Sequence, residues 1–76
     1  MDVATRRRAN LAWAKASEAQ AAAEEASAAA LVASSEAQHC VGRDDIALQY
    51  LRLAEYSRLQ AGIYRDAAES FRRLAG

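Results

Sequence analysis

Proline is missing from this 76-residue chain, which also has only three glycines and one cysteine. Without proline, the residue that clashes with a preceding carbonyl and lacks an amide donor, long helices can run without a forced break. Cys40 has no second cysteine with which to form a disulfide within the chain. A lone cysteine is typical of a reducing compartment, so we expect a cytoplasmic protein.

Net charge and long apolar runs are also absent. The ten basic residues balance the ten acidic ones, so no overall field favours nucleic acid or an acidic partner. No apolar run approaches the roughly 18 residues that a membrane span requires. Arginine outnumbers lysine nine to one in an alanine-rich chain, a composition typical of high-GC bacterial genomes.

The residues that dominate the chain are helix formers. Alanine, leucine, arginine, glutamate and glutamine are abundant, whereas the β-branched residues are rare and never alternate. We therefore predict an all-α fold, an antiparallel hairpin of two long helices forming a single domain over residues 1–76. The first helix covers about 3–40, the turn about 41–44 and the second helix about 45–75.

Polar residues and a glycine mark the predicted helix ends. Asp2 or Thr5 can cap the first helix by accepting a hydrogen bond from an unpaired amide. Gly42 suits the left-handed conformation that often follows a helix. Asp44 or Asp45 then serves as the N-cap of the second helix, with its negative charge near the positive end of the helix dipole.

Alanine recurs along the first helix at steps that alternate between three and four residues. This spacing keeps the alanines on one helical face, and methyl side chains let two backbones approach closely. The alternative is that alanine is abundant only because it is the best helix former. We call this set the alanine ladder: Ala9, Ala12, Ala16, Ala19, Ala23, Ala26, Ala30, Ala33 and Ala37.

The second helix repeats the same spacing with larger side chains. Its predicted stripe is Ile46, Tyr50, Leu53, Ser57, Gln60, Tyr64, Ala67, Phe71 and Leu74, with Leu59 and Ile63 widening the apolar face on one side and Ala54 and Ala61 on the other. One alanine face cannot cover so wide an apolar arc, so we expect a homodimer of hairpins forming a four-helix bundle. The predicted self-association seam comprises Ala12, Ala16, Ala19, Ala23, Ala26, Ala30, Ala33, Tyr50, Leu53, Tyr64 and Phe71.

The reactive side chains do not form a catalytic or metal-binding pattern. His39 and Cys40 are adjacent and point to different faces, and no further histidine or cysteine is present to complete a metal site. Glu24 and Glu25 diverge by about 100° on a helix, so they do not form an acid–base pair. We predict no enzymatic activity, cofactor, metal or small-molecule substrate.

The predicted function is therefore protein–protein interaction through helix packing, as a small adaptor, assembly or regulatory subunit. The partner is a second copy or another helical protein. The main alternative is a nucleic-acid-binding regulator that uses the basic open end of the hairpin. That end contains Arg6, Arg7, Arg8, Arg72 and Arg73, with Trp13 two turns further on. A peripheral membrane binder is a third possibility.

Residues 51–75 resemble a single tetratricopeptide repeat. The matching positions are Gly62, Tyr64, Ala67, Phe71 and Leu74, and Glu55 and Arg58 depart from the pattern where small and aromatic residues are usual. The resemblance implies a protein-binding role and a helix break near Gly62. Because one repeat cannot bury its own apolar face and the three–four spacing continues past Gly62, we predict a continuous helix.

Overall fold

The computed structural model describes all 76 residues as two antiparallel helices. Helix α1 runs from Val3 to Cys40 and helix α2 from Asp44 to Ala75, starting one residue before its predicted start. The backbone fills a rod of 60 × 15 × 13 Å, so the hairpin has no third layer. The predicted all-α helical hairpin is confirmed.

Asp2 is the N-cap of α1. Its Oδ1 accepts a hydrogen bond of 2.7 Å from the Thr5 amide, which satisfies one of the free donors of the first turn. That bond stabilises the carboxylate and lowers the pKa of Asp2 below its ordinary value of 3.8. The capping interaction is therefore fully present above this value and is lost as the pH falls through the lower folded-state pKa.

Acid titration should release this cap only at a pH below the ordinary aspartate pKa of 3.8. We expect the Thr5 amide resonance to titrate with a midpoint below 3.8, because the carboxylate that it contacts is harder to protonate when capped. Asp2→Asn should keep the cap and remove the titration, since asparagine caps about as well as aspartate. A Thr5 midpoint above 3.8 would contradict the cap.

Gly42 turns the chain between the helices. Its φ of +79° lies in the left-handed region, and no other non-neighbouring atom lies within 4 Å of the position where a Cβ would be. The amides of Gly42 and Arg43 donate to the carbonyls of His39 and Gln38, at 3.0 and 2.9 Å, which ends α1. The prediction for Gly42 is therefore correct.

Replacing Gly42 tests whether the turn needs only its backbone conformation. Gly42→Ala should destabilise the hairpin by about 1–2 kcal/mol, the usual penalty for a side chain in the left-handed region. Gly42→Asn should lose less, because asparagine tolerates this conformation. Equal losses in thermal unfolding would show that space around the residue, rather than φ, limits the position.

The predicted N-cap of α2 is wrong. Arg43 occupies the cap position and makes no side-chain capping bond, while Asp44 and Asp45 lie inside the first turn. Both carboxylates still lie near the positive end of the helix dipole. Asp44 also accepts a hydrogen bond from His39 Nδ1 at 2.7 Å, so its side chain ties the start of α2 to the last turn of α1.

Helix α2 continues through Gly62 without interruption, as the continuous-helix prediction required. The break implied by the resemblance to a tetratricopeptide repeat is therefore not present. Glycine costs about 1 kcal/mol in a helix interior relative to alanine, a cost that the packing of a 32-residue helix can offset.

Alanine and serine form the seam between the helices, and no large side chain is fully buried. Buried positions on both helices recur mainly at intervals of seven, so methyl and hydroxyl groups line the contact along its length. Ser35 Oγ donates to the carbonyl of Ala47 at 2.7 Å, which satisfies a buried hydroxyl. The inner seam consists of Ala14, Ser17, Ala21, Ala28 and Ser35 of α1 and Ala47, Ala54, Ser57, Ala61, Ala68 and Ala75 of α2.

The alanine ladder does not form this seam, so that interpretation of the hairpin contact is wrong. Ala9 is half-buried, and the other eight ladder residues are exposed on the side of α1 opposite the inner seam. In α2 the small residues Ala54 and Ala61, predicted to lie at the side of the stripe, occupy the centre of the contact and are fully buried. The inner seam has small residues at matching intervals on both helices, which the ladder lacks.

Candidate functional site

The outer face of α1 is the alanine ladder. From Ala12 to Ala37 every ladder residue is exposed, so the helix presents a smooth strip of methyl groups to the surroundings. Within the chain these residues contact no second helix. As a surface for another chain the ladder stays a prediction, since only a second molecule could cover it.

The outer face of α2 carries the larger apolar side chains. Leu53, Tyr56, Leu59 and Ile63 are 52%, 62%, 68% and 59% exposed; Tyr56, Leu59 and Ile63 share one side of the helix, and Leu53 lies at its border. Their spacing of three, three and four residues places them within three turns. We call these four residues the outer α2 patch, and nothing within the chain covers it.

The predicted stripe of α2 is divided between the two faces. Tyr50, Tyr64 and Phe71 are half-buried beside the inner seam, whereas Leu53 belongs to the outer α2 patch. Phe71 stacks on Trp13 with ring centroids 6.2 Å apart and an interplanar angle of 24°. This contact joins the two helices along one edge of the hairpin near its open end, although Trp13 remains 60% exposed.

The opposite edge of the hairpin carries charge. Arg72 pairs with Glu18 and Arg65 pairs with Glu25, so each ion pair joins α1 to α2 across the seam. All four side chains remain about half exposed, which limits the stabilisation from each pair to the range of about 0–1 kcal/mol. The pairs border a shallow groove over Ala21 and Ala68. They join the two helices along this edge.

The basic open end is partly occupied by these contacts. Arg72 is in the ion pair with Glu18, and Arg73 donates a hydrogen bond to Ser70 Oγ at 3.3 Å. Arg6, Arg7 and Arg8 are exposed and form no ion pair within the chain. Because Trp13 lies opposite Phe71, the antiparallel register places these three arginines beyond the last residue of α2.

The reactive residues lie close together only at the turn. Cys40 is an exposed free thiol, and His39 is engaged with Asp44. No group of three or more histidine, cysteine, aspartate or glutamate side chains lies close enough together to hold a metal ion. Neither helix contains an apolar segment long enough to cross a membrane.

No protein-family model, curated protein or solved structure matches this chain. The functional assignment therefore depends on the surface itself. That surface has two outer faces, with small side chains on α1 and large apolar side chains on α2. One edge carries the Trp13–Phe71 stack and the other carries the ion pairs. The basic N-terminal end of α1 extends beyond α2.

A signal for the inner seam is present in the sequence, although the regularity of the ladder hides it. Small residues recur every seven positions from Ala14 to Ser35 in α1 and from Ala47 to Ala75 in α2. The ladder repeats more densely but on α1 alone. Small residues at matching intervals on both helices predict the inner seam, rather than the ladder, as the contact between them.

Proposed function

We propose that this protein is a non-enzymatic, cytoplasmic interaction module that binds a helical partner, either a second copy or another protein, through its outer faces. The main support for this proposal is the exposure of the outer α2 patch. Tyr56, Leu59 and Ile63 are each about 60% exposed on one helical face, while the inner seam consists of alanine and serine. Contiguous apolar surface of this kind marks interaction sites on small domains.

The distribution of side-chain size supports this proposal. A hairpin selected only for its own stability would place its leucine, isoleucine and tyrosine side chains in the seam, because each contributes about 1.5–3 kcal/mol when fully buried. Here the seam contains methyl groups, and burial of each carbon stabilises the fold by roughly 0.8 kcal/mol. The leucine, isoleucine and tyrosine side chains, whose burial would stabilise the protein most, therefore lie on the surface, where a partner can cover them.

Photo-crosslinking in the cells that make the protein tests this function. We expect a photoreactive phenylalanine analogue in place of Tyr56 to form a covalent adduct with another protein chain. The same analogue in place of Glu69 is the control. Glu69 is exposed on the charged edge of the same helix. An adduct with protein at position 56 that is missing at position 69 supports the proposal. Adducts with nucleic acid alone, or no adduct at position 56, would overturn it.

A nucleic-acid-binding regulator is the second candidate, favoured by the overhang of Arg6, Arg7 and Arg8. Three exposed guanidinium groups without carboxylate partners suit phosphate contacts. If this activity exists, affinity for generic RNA or DNA falls steeply with salt, and replacing the three arginines by glutamine flattens that dependence. Lack of binding at low salt would remove this candidate.

A further inference from the structure

Charged side chains alternate in sign along the outer face of α2. At intervals of seven residues this face presents Asp45, Arg52, Leu59, Asp66 and Arg73, all of them exposed. None of the four charged residues forms an ion pair within the chain. The order is acid, base, apolar, acid, base, and the reverse order is base, acid, apolar, base, acid. The series is therefore complementary to itself when one helix is turned end for end.

From this series we infer that the outer face of α2 pairs with the same face of a second copy, in antiparallel orientation about a two-fold axis at Leu59. The inference rests on the proposed function and names its partner. In this register Asp45 lies opposite Arg73 of the second copy and Arg52 opposite Asp66 of the second copy. A parallel pair would place like charges together, which is destabilising, so the charges specify the orientation.

The apolar residues fit the same register. Leu59 lies opposite itself on the axis, and Tyr56 lies opposite Gly62 and beside Ile63 of the second copy, so these apolar side chains cover one another. Since α2 runs from Asp44 to Ala75, its midpoint falls between Leu59 and Gln60. With the two-fold axis at the position that pairs the charges, the two α2 helices therefore also overlap along almost their whole length. A closed two-fold contact of this kind buries the patch on both copies and leaves no uncovered copy of it.

This arrangement differs from a four-helix bundle formed around the inner seam. The outer α2 patch lies on the far side of α2 from α1, so pairing through it places the four helices side by side, in the order α1, α2, α2, α1. The alanine ladder then remains on the two outer edges of the dimer. The large side chains supply the contact, and the ladder supplies none of it.

Sedimentation equilibrium over a range of about 1–500 µM tests the pairing with charge variants. Arg52→Asp and Asp66→Arg each place like charges opposite one another twice per dimer. Each should weaken dimerisation about tenfold, the effect of roughly 1.4 kcal/mol at surface charge pairs. An equimolar mixture of the two variants should recover dimers, because in the mixed dimer an acid faces a base at both contacts between positions 52 and 66. The double variant should likewise recover them.

Leu59→Glu provides the stronger disruption, and Ala26→Glu is its matched control on the outer face of α1. Both sites are exposed, so circular dichroism should show intact helices in each variant. We expect Leu59→Glu to weaken dimerisation at least about a hundredfold, because two carboxylates meet on the axis. Ala26→Glu should leave dimerisation unchanged.

A wild-type chain that stays monomeric at about 500 µM would overturn the inference, since a contact weaker than this falls short of a specific dimer. So would a dimer that Ala26→Glu disrupts and Leu59→Glu does not, or a mixture of charge variants that fails to recover. If the purified chain is monomeric while Tyr56 crosslinks to a different protein in cells, the pairing of copies is wrong and the proposed function stands. If neither occurs, both are wrong.

Discussion

Ala28→Leu is expected to destabilise the hairpin by about 1–3 kcal/mol, near the upper end of that range. Ala28 is only 2% exposed and lies in the inner seam, so the facing helix covers its methyl group. A leucine side chain has no cavity to enter, so the two helices must separate locally and lose contacts on both sides. For a domain of this size, the loss corresponds to a fall in melting temperature of about 10 °C or more.

Ala26→Leu is the matched control, two residues away on the same helix. Ala26 belongs to the alanine ladder and is exposed, so the added carbons point away from α2. We expect a change within about 0.5 kcal/mol when both variants are compared at a concentration where the chain is monomeric. If Ala26→Leu unfolds the hairpin and Ala28→Leu does not, the assignment of the inner seam is wrong.

Phe71→Ala is expected to remove about 2 kcal/mol from the free energy of unfolding. Truncation of a fully buried phenylalanine costs about 3–5 kcal/mol, and Phe71 is half-buried, so the loss of burial is smaller. The stacking on Trp13 adds to it, since aromatic pairs contribute about 0.5–1.5 kcal/mol beyond burial. Trp13 is the only tryptophan, so its fluorescence should shift to the red when the ring beside it is removed.

Tyr56→Ala is the control for loss of an aromatic ring from α2. Tyr56 is 62% exposed and stacks on no other ring within the chain, so its removal should change monomer stability by less than about 0.5 kcal/mol. A double-mutant cycle with Trp13→Ala and Phe71→Ala should give a coupling energy of about 1 kcal/mol. A coupling of zero, together with unchanged tryptophan fluorescence, would show that the two rings do not stack in solution.

The helices and the turn follow directly from local features of the sequence. The lack of proline allows two long helices, Asp2 caps the first, and Gly42 supplies the left-handed residue that ends it. These features act over a few residues, so they can be read without knowledge of the packing. The cap of α2 does not follow from local features, because Arg43 takes the cap position and Asp44, which accepts a hydrogen bond from His39, lies in the first turn.

The choice of packing face could not be read from α1 alone. The alanine ladder and the inner seam both follow the seven-residue period of α1 and differ by a rotation of the helix, so the periodicity of α1 does not distinguish them. What distinguishes them is the second helix. The observed face brings Glu18 and Glu25 to Arg72 and Arg65, and Trp13 to Phe71. Such long-range pairs become informative only when both helices are aligned in one register.

The position of the large side chains has a consequence for function. Two helices that meet through alanine leave the apolar surface of α2 uncovered, and a chain of 76 residues gains little stability from methyl groups alone. Association would contribute the missing burial. Stability and assembly should therefore be linked, so the melting temperature should rise with protein concentration if the two-fold pairing forms.

The exposure of both outer faces depends on the packing of α1 against α2 through the inner seam. Nuclear Overhauser contacts between alanine methyl groups, measured on a methyl-labelled chain at a concentration where it is monomeric, test it most directly. We expect contacts between α1 and α2 from seam residues such as Ala21 and Ala68, which border the same groove, and none from Ala19 or Ala26. Contacts from Ala19 or Ala26 to α2, without any contact from Ala21, would contradict the assignment of the inner seam.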